Sequence, residues 1–235
     1  MDASFWLDSW AEGGTKTSFH RRDVHPFATA YLPPSELAGQ HVFVPCCGKD
    51  NVLTYFRRYA AHVTGIDLAP TAIAEYAAEN GIDLVETEPG RFEAEGITLF
   101  CRDLFTLRAE DMAPIDIVWD RASLIAFPDD GSGGLRQRYI DKLHELLPAG
   151  ARMLLVTLEY GPIMPEPPFS VDPDTVWGYF SSGFQIRHLL DESQPRHRMV
   201  EKFNLQFLIE HAFEMTRRAG NNSQATTPAR IREYA

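Results

Sequence analysis

The chain has 235 residues, 44% hydrophobic and 23% charged, with a formal net charge of −11, which suits one α/β domain with a full core and disfavours phosphate backbones or anionic membranes as partners. No apolar window approaches the ~18 residues of a membrane span, and the N-terminus lacks the basic and apolar regions of a signal peptide. Three cysteines, two of them adjacent, give no disulfide framework and point to a reducing, cytoplasmic setting.

Residues 3–12 place Trp6 and Trp10 at i, i+4 on one face of a short helix. A Gly13-Gly14 break follows, and Val24–Leu32 reads as a second helix ended by Pro33-Pro34. The apolar strand His41-Val42-Phe43-Val44 then runs into the turn Pro45-Cys46-Cys47-Gly48-Lys49-Asp50. Asp50 is a suitable N-cap for a helix through Tyr59, and a second strand, 62–66, terminates on Asp67. Pro70 opens a helix that closes at Asn80-Gly81.

The acidic stretch 82–95 reads as a loop with room for a short strand at Leu84-Val85. Strands are predicted at Ile97–Cys101, Ile115–Trp119 and Met153–Leu158, with a helix over about 135–147. Four prolines between Tyr160 and Pro168 mark a loop or lid, and Asp172 caps a short helix carrying Val176, Trp177 and Phe180. Phe184–Leu190 and Asn204–Met215 alternate as an antiparallel pair joined by a polar turn. The whole describes an α/β chain: a Rossmann-like open, mostly parallel, seven-stranded sheet with helices on both faces and an antiparallel C-terminal hairpin. A single domain is expected over 1–219, with 1–35 as an N-terminal helical lid and 220–235 as a flexible tail.

A glycine turn after the first strand and a carboxylate at the tip of the second are the first half of a nucleotide-binding sheet. The glycine lets a ligand approach the backbone, and Asp67 can accept two ribose hydroxyls. The phosphate-cradling pattern GxGxxG is absent, which counts against a nicotinamide enzyme and favours a nucleoside cofactor without phosphates, S-adenosylmethionine (SAM). The Cys46-Cys47 pair lacks His/Cys ligand spacing, so no metal site is expected. His20 and His25 suit proton transfer or simple packing, and the cluster His188, Arg196, His197 and Arg198 suits an anionic substrate group or a solvated turn.

Four landmarks recur in order: Phe5-Trp6 and Trp10 with Thr17-Ser18-Phe19-His20 and Val24-His25-Pro26; Val44-Pro45-Cys46-Cys47-Gly48-Lys49; Trp119-Asp120-Arg121-Ala122-Ser123-Leu124-Ile125-Ala126; and Pro167-Pro168-Phe169-Ser170-Val171. In these the chain resembles the thiopurine S-methyltransferase family of class I SAM-dependent methyltransferases. The resemblance implies that Trp6, Trp10 and Phe19 close over SAM, that Cys46 and Gly48 line the first turn, and that Asp67 holds the ribose. It implies Arg102 and Asp103 beside the adenine, where Asp103 equally suits a cap, and Asp120 and Arg121 near the sulfonium and the acceptor, where the two equally suit a structural ion pair. The expected reaction is methyl transfer to a small thiol or other soft nucleophile by in-line displacement, with a small-molecule partner and a monomer or weak dimer. Two alternatives use the same cofactor: cyclisation of SAM to azetidine-2-carboxylate and methylthioadenosine, shaped by Phe127, Tyr160 and Trp177, or catalytically silent SAM binding. The chain departs from the family at Cys46, where leucine is usual, around Gly13-Gly14, and after residue 191.

Overall fold

A computed structural model describes residues 3–13, 23–121, 123–131 and 133–219. Phe19, His20 and the tail 220–235 lie outside the described residues. Five parallel strands form the centre of the sheet: β1 (His41–Pro45), β2 (His62–Asp67), β5 (Ile97–Cys101), β6 (Ile117–Asp120) and β7 (Arg152–Gly161). A hairpin of β3 (Val85–Glu88) and β4 (Arg91–Ala94) extends one edge, and β8 (Phe184–Ser193) with β9 (Phe207–Arg217) extends the other, all antiparallel. The order is β3-β4-β5-β2-β1-β6-β7-β9-β8. The described sheet therefore has nine strands where the sequence suggested seven.

The two extra strands lie in the segment read as a loop. All four β3 residues are exposed and all four β4 residues half-buried, so neither strand carries the apolar alternation that betrays a buried face. The turn before the last strand also differs, because residues Arg198–Lys202 form a short helix.

Alternate side chains of β1 point to opposite faces, and both faces are covered, which is why the strand reads as an unbroken apolar run. Phe43 faces helix α6 (Leu135–Leu146) and helix α7 (Pro173–Phe180), within a core of Val118, Met153, Tyr139 and Phe180. Val42 and Val44 face helix α4 (Val52–Tyr59) and helix α5 (Pro70–Asn80), within a core of Phe56, Ile73, Tyr76 and Trp119. Helix α1 covers Ala3–Glu12, α2 is the shorter Pro26–Tyr31, and α3 is the single turn Pro34–Leu37. Asn51, not Asp50, occupies the cap position of α4. Its backbone is already helical, and the Asp50 carboxylate still accepts the Val52 N–H at 3.0 Å. Gly81 closes α5 in the left-handed conformation that the Asn-Gly pair implied.

Strand β1 has β2 on one side and β6 on the other, so successive connections run in opposite directions from it. The crevice at the carboxyl ends of these strands is where open α/β sheets bind ligands.

Candidate active site

The turn after β1 is built from its own backbone bonds. The Cys47 N–H donates to the Ile66 carbonyl at 2.9 Å, and the Asp50 N–H to the Cys47 carbonyl at 3.1 Å. Cys46 and Gly48 both have positive φ, +46° and +51°. At Gly48 a Cβ would sit 2.9 Å from the Trp10 ring, so the indole packs where a side chain would otherwise be. Gly65 serves the same turn from beneath: a Cβ there would lie 2.7 Å from Leu99 and 2.9 Å from Cys47 Sγ. Lys49 anchors the turn to α5 through Glu75 and Glu79, at 2.7 and 2.6 Å.

Asp67 completes one wall. Its Oδ2 accepts the Gly48 N–H at 2.8 Å and its Oδ1 the Ala69 N–H at 2.9 Å. Burial raises its pKa, against the opposing effect of the Ala69, Gly48 and Leu68 N–H donors. A carboxylate offers about four acceptor sites, so capacity remains for further donors from the cleft. Opposite, Arg121 reaches Asp50 at 3.4 Å, closing the end of β6 against the β1 turn.

A cleft open to solvent lies between these walls, lined by Trp6, Trp10, Cys46, Gly48, Asp67 and Arg121. Further lining comes from Leu68, Ile125, Phe127 and Pro168, apolar groups that no spacing rule singles out. A smaller cavity adjoins it, and Arg121 and Ile125 line both; His197, Arg198 and Glu210 form its far side.

Three residues implied by the resemblance are engaged elsewhere. Asp120 is fully buried, accepting the Tyr139 hydroxyl at 2.7 Å and the Ser123 N–H at 2.9 Å. Burial raises its pKa too. Asp103 caps a 3-10 turn through the Phe105 N–H at 2.9 Å, and Arg102 pairs with Asp111 at 2.5 Å while its guanidinium lies over Phe100. None of the three lines the cleft. Ser123, part of the third landmark but given no role there, donates to the Pro45 carbonyl at 3.0 Å and so carries Asp120's anchorage back to β1. His25 is buried; its Nδ1 accepts the Phe27 N–H at 3.2 Å, and its Nε2 faces Glu210 at 3.4 Å.

The cleft fits SAM. A carboxylate with spare acceptor capacity suits a diol, and a glycine leaves its Cβ position to an indole. Fold and cleft together define a SAM-dependent methyltransferase. Among solved structures, a SAM-dependent methyltransferase from Anabaena variabilis superposes with a TM-score of 0.65 at 17% identity, covering 92% of this chain and 95% of its own. The 1,6-didemethyltoxoflavin-N1-methyltransferase of Burkholderia thailandensis, solved with S-adenosylhomocysteine, gives 0.62 at 16% identity, covering 92% and 87%. The chain belongs to the thiopurine S-methyltransferase (TPMT) family, whose sequence model matches residues 1–218. It is similar to the thiopurine S-methyltransferase of Shewanella woodyi, 35% identical across 93% of this chain and all of that one. The Pseudomonas entomophila thiopurine S-methyltransferase is 34% identical across 92% of this chain and all of its own.

Proposed function

We propose that this enzyme transfers the SAM methyl group to a small thiol or similarly soft nucleophile by in-line displacement, the acceptor entering through the smaller cavity. The observation that carries this reading is that Arg121 lines both cavities, so one cationic residue borders the cofactor cleft and the space beside it. SAM supplies a methyl group activated by its sulfonium.

The chain's own residues do the rest. Asp67 accepts the ribose hydroxyls and fixes the nucleoside, while Trp6 and Trp10 cover the cleft and exclude water. Aromatic faces also attract a sulfonium by about 0.5–2 kcal/mol. Arg121 favours an anionic acceptor such as a thiolate and holds it in line. Orientation of this kind can supply roughly 7–11 kcal/mol of a barrier. Asp120 acts as a positioning residue, holding the segment that bears Arg121 through Tyr139 and Ser123. Cys46 lines the cleft as a potential competitor, yet burial, reinforced by Asp67, pushes its pKa far up and keeps it a protonated thiol.

The same reading places the cofactor domain over 1–219, with 1–35 closing over it, in a cytoplasmic enzyme that is a monomer or weak dimer. Among the described residues no helix is long and apolar enough to cross a membrane. The cyclisation alternative finds little support. Phe127 lines the cleft, but the Tyr160 hydroxyl is bound to the Pro168 carbonyl at 2.5 Å and Trp177 does not line it.

Mass spectrometry of the purified protein incubated with SAM and a panel of small thiols tests the proposal. S-adenosylhomocysteine formed only with a thiol, beside a product heavier by one methylene, is expected. Methylthioadenosine formed enzymatically without an acceptor would overturn it.

A further inference from the structure

Away from the cofactor cleft, the β8–β9 edge gathers two histidines and a carboxylate that the methyl-transfer reading does not use. The strands are paired with Asp191 opposite His211 and His188 opposite Phe213. His188 and Asp191 are three residues apart, an odd spacing that regular alternation would send to opposite faces. A register shift between His188 and Leu190 inserts an extra residue and returns both to one face. Asp191 Oδ1 then lies 2.6 Å from His188 Nε2 and 2.6 Å from His211 Nδ1. One ligand atom from each residue falls within 4.8 Å of the others.

We infer that His188, Asp191 and His211 form a binding site for a divalent transition-metal ion of the zinc type, pinning the edge strand β8 to β9. Two imidazoles and one carboxylate are a donor set that zinc accepts, with solvent completing a tetrahedron. Ligands at roughly 2.0–2.1 Å from such an ion stand about 3.3 Å apart. Admitting it takes a retreat of Asp191 by less than about 1 Å and an inward adjustment of the His188 ring, from ligand atoms as much as 4.8 Å apart; both side chains are exposed and lie on the outermost strand.

The surroundings also suit a metal ligand. His211 is buried, and its Nε2 lies 3.0 Å from the Glu159 carboxylate on the neighbouring strand. A proton held at Nε2 by Glu159 leaves the Nδ1 lone pair for the ion, the carboxylate–histidine–metal relay that orients ligating imidazoles. His188 is fixed by stacking on Phe213, with ring centroids 4.5 Å apart and planes at 20°.

Titration of the tag-free full-length protein with Co2+, followed by visible absorbance, tests the site. A saturable tetrahedral d–d spectrum at roughly one equivalent is expected, competed away by Zn2+. His188→Ala and Asp191→Asn alter exposed residues and should each weaken binding at least tenfold while SAM affinity stays unchanged. Glu159→Gln should weaken it about 10- to 100-fold by releasing the His211 ring. Absence of a saturable spectrum overturns the inference. So does a spectrum that both His188→Ala and Asp191→Asn leave intact, or one dominated by thiolate charge transfer, which would put the ion on one of the three free cysteines.

Discussion

The Asp67 carboxylate accepts the Gly48 N–H at 2.8 Å, so the side chain assigned to the ribose also ties the end of β2 to the turn after β1. Asp67→Ala therefore removes two things at once. SAM binding should weaken by about 1.5–3 kcal/mol through loss of charge-assisted hydrogen bonds. Thermal stability of the unliganded protein should fall as well, because the Gly48 and Ala69 N–H groups lose their acceptor. Calorimetric titration with SAM checks the first, and unchanged affinity would remove Asp67 from the cofactor site.

Gly48 and Trp10 form the second coupled pair. Gly48→Ala adds a methyl group at positive φ, worth about 1–2 kcal/mol of strain, and places it against the Trp10 ring. The expected result is lowered stability and lost SAM affinity. Trp10→Ala in the same chain should recover part of the stability but not the binding, since the indole itself covers the cleft. Urea melts of the two single variants and the double variant give the coupling directly. Strict additivity in stability would show that the contact imposes nothing.

Asp120 and Arg121 are neighbours with opposite burdens, and substitution separates them. Tyr139→Phe leaves the buried Asp120 carboxylate short of a donor and should cost about 1–3 kcal/mol of stability, with a modest change in turnover. Arg121→Gln should also cost stability, by removing the largely buried ion pair with Asp50, but should lower kcat/KM for the thiol much more than it weakens SAM binding. Steady-state kinetics beside thermal melts decide the matter. A Tyr139→Phe protein that folds normally but does not turn over would give Asp120 a catalytic role.

That Gly48 and Asp67 line one cleft was legible because their signals are local. Gly48 and Asp67 stand at the ends of two apolar strands, and strand ends are readable from alternation. The fates of Asp120, Asp103 and Arg102 were less so. A strand-end aspartate looks the same in sequence whether it faces a cleft or a Tyr139 hydroxyl that arrives on a later helix. Of the β3–β4 hairpin only room for a short strand at Leu84-Val85 was read, for a related reason: Val85 is 62% exposed, and strands without a buried face leave no apolar pattern. Leu68 entered the cleft through loop geometry that no spacing encodes, whereas Phe127 had been named only for the cyclisation alternative. The His188–Asp191–His211 cluster depends on a bulge, which is invisible until the register is known.

The electrostatics of Asp67 yield a pH dependence whose sign differs for folding and for binding. Burial raises its pKa in the folded protein above the unfolded value. Its linked contribution to stability is thus fully present below the unfolded pKa and is lost as pH rises through the folded one. Binding runs the other way, because the ionised carboxylate is the better acceptor for ribose hydroxyls. SAM affinity should fall on acidification through the raised pKa, beginning at a higher pH than an ordinary aspartate would cause. Binding near that pH should release protons, seen as a buffer-dependent heat in calorimetry. Asp67→Asn has no charge to lose, so its weaker SAM affinity should be flat over the same range. If wild type and Asp67→Asn show the same acid limb, the titrating group lies elsewhere in the cleft.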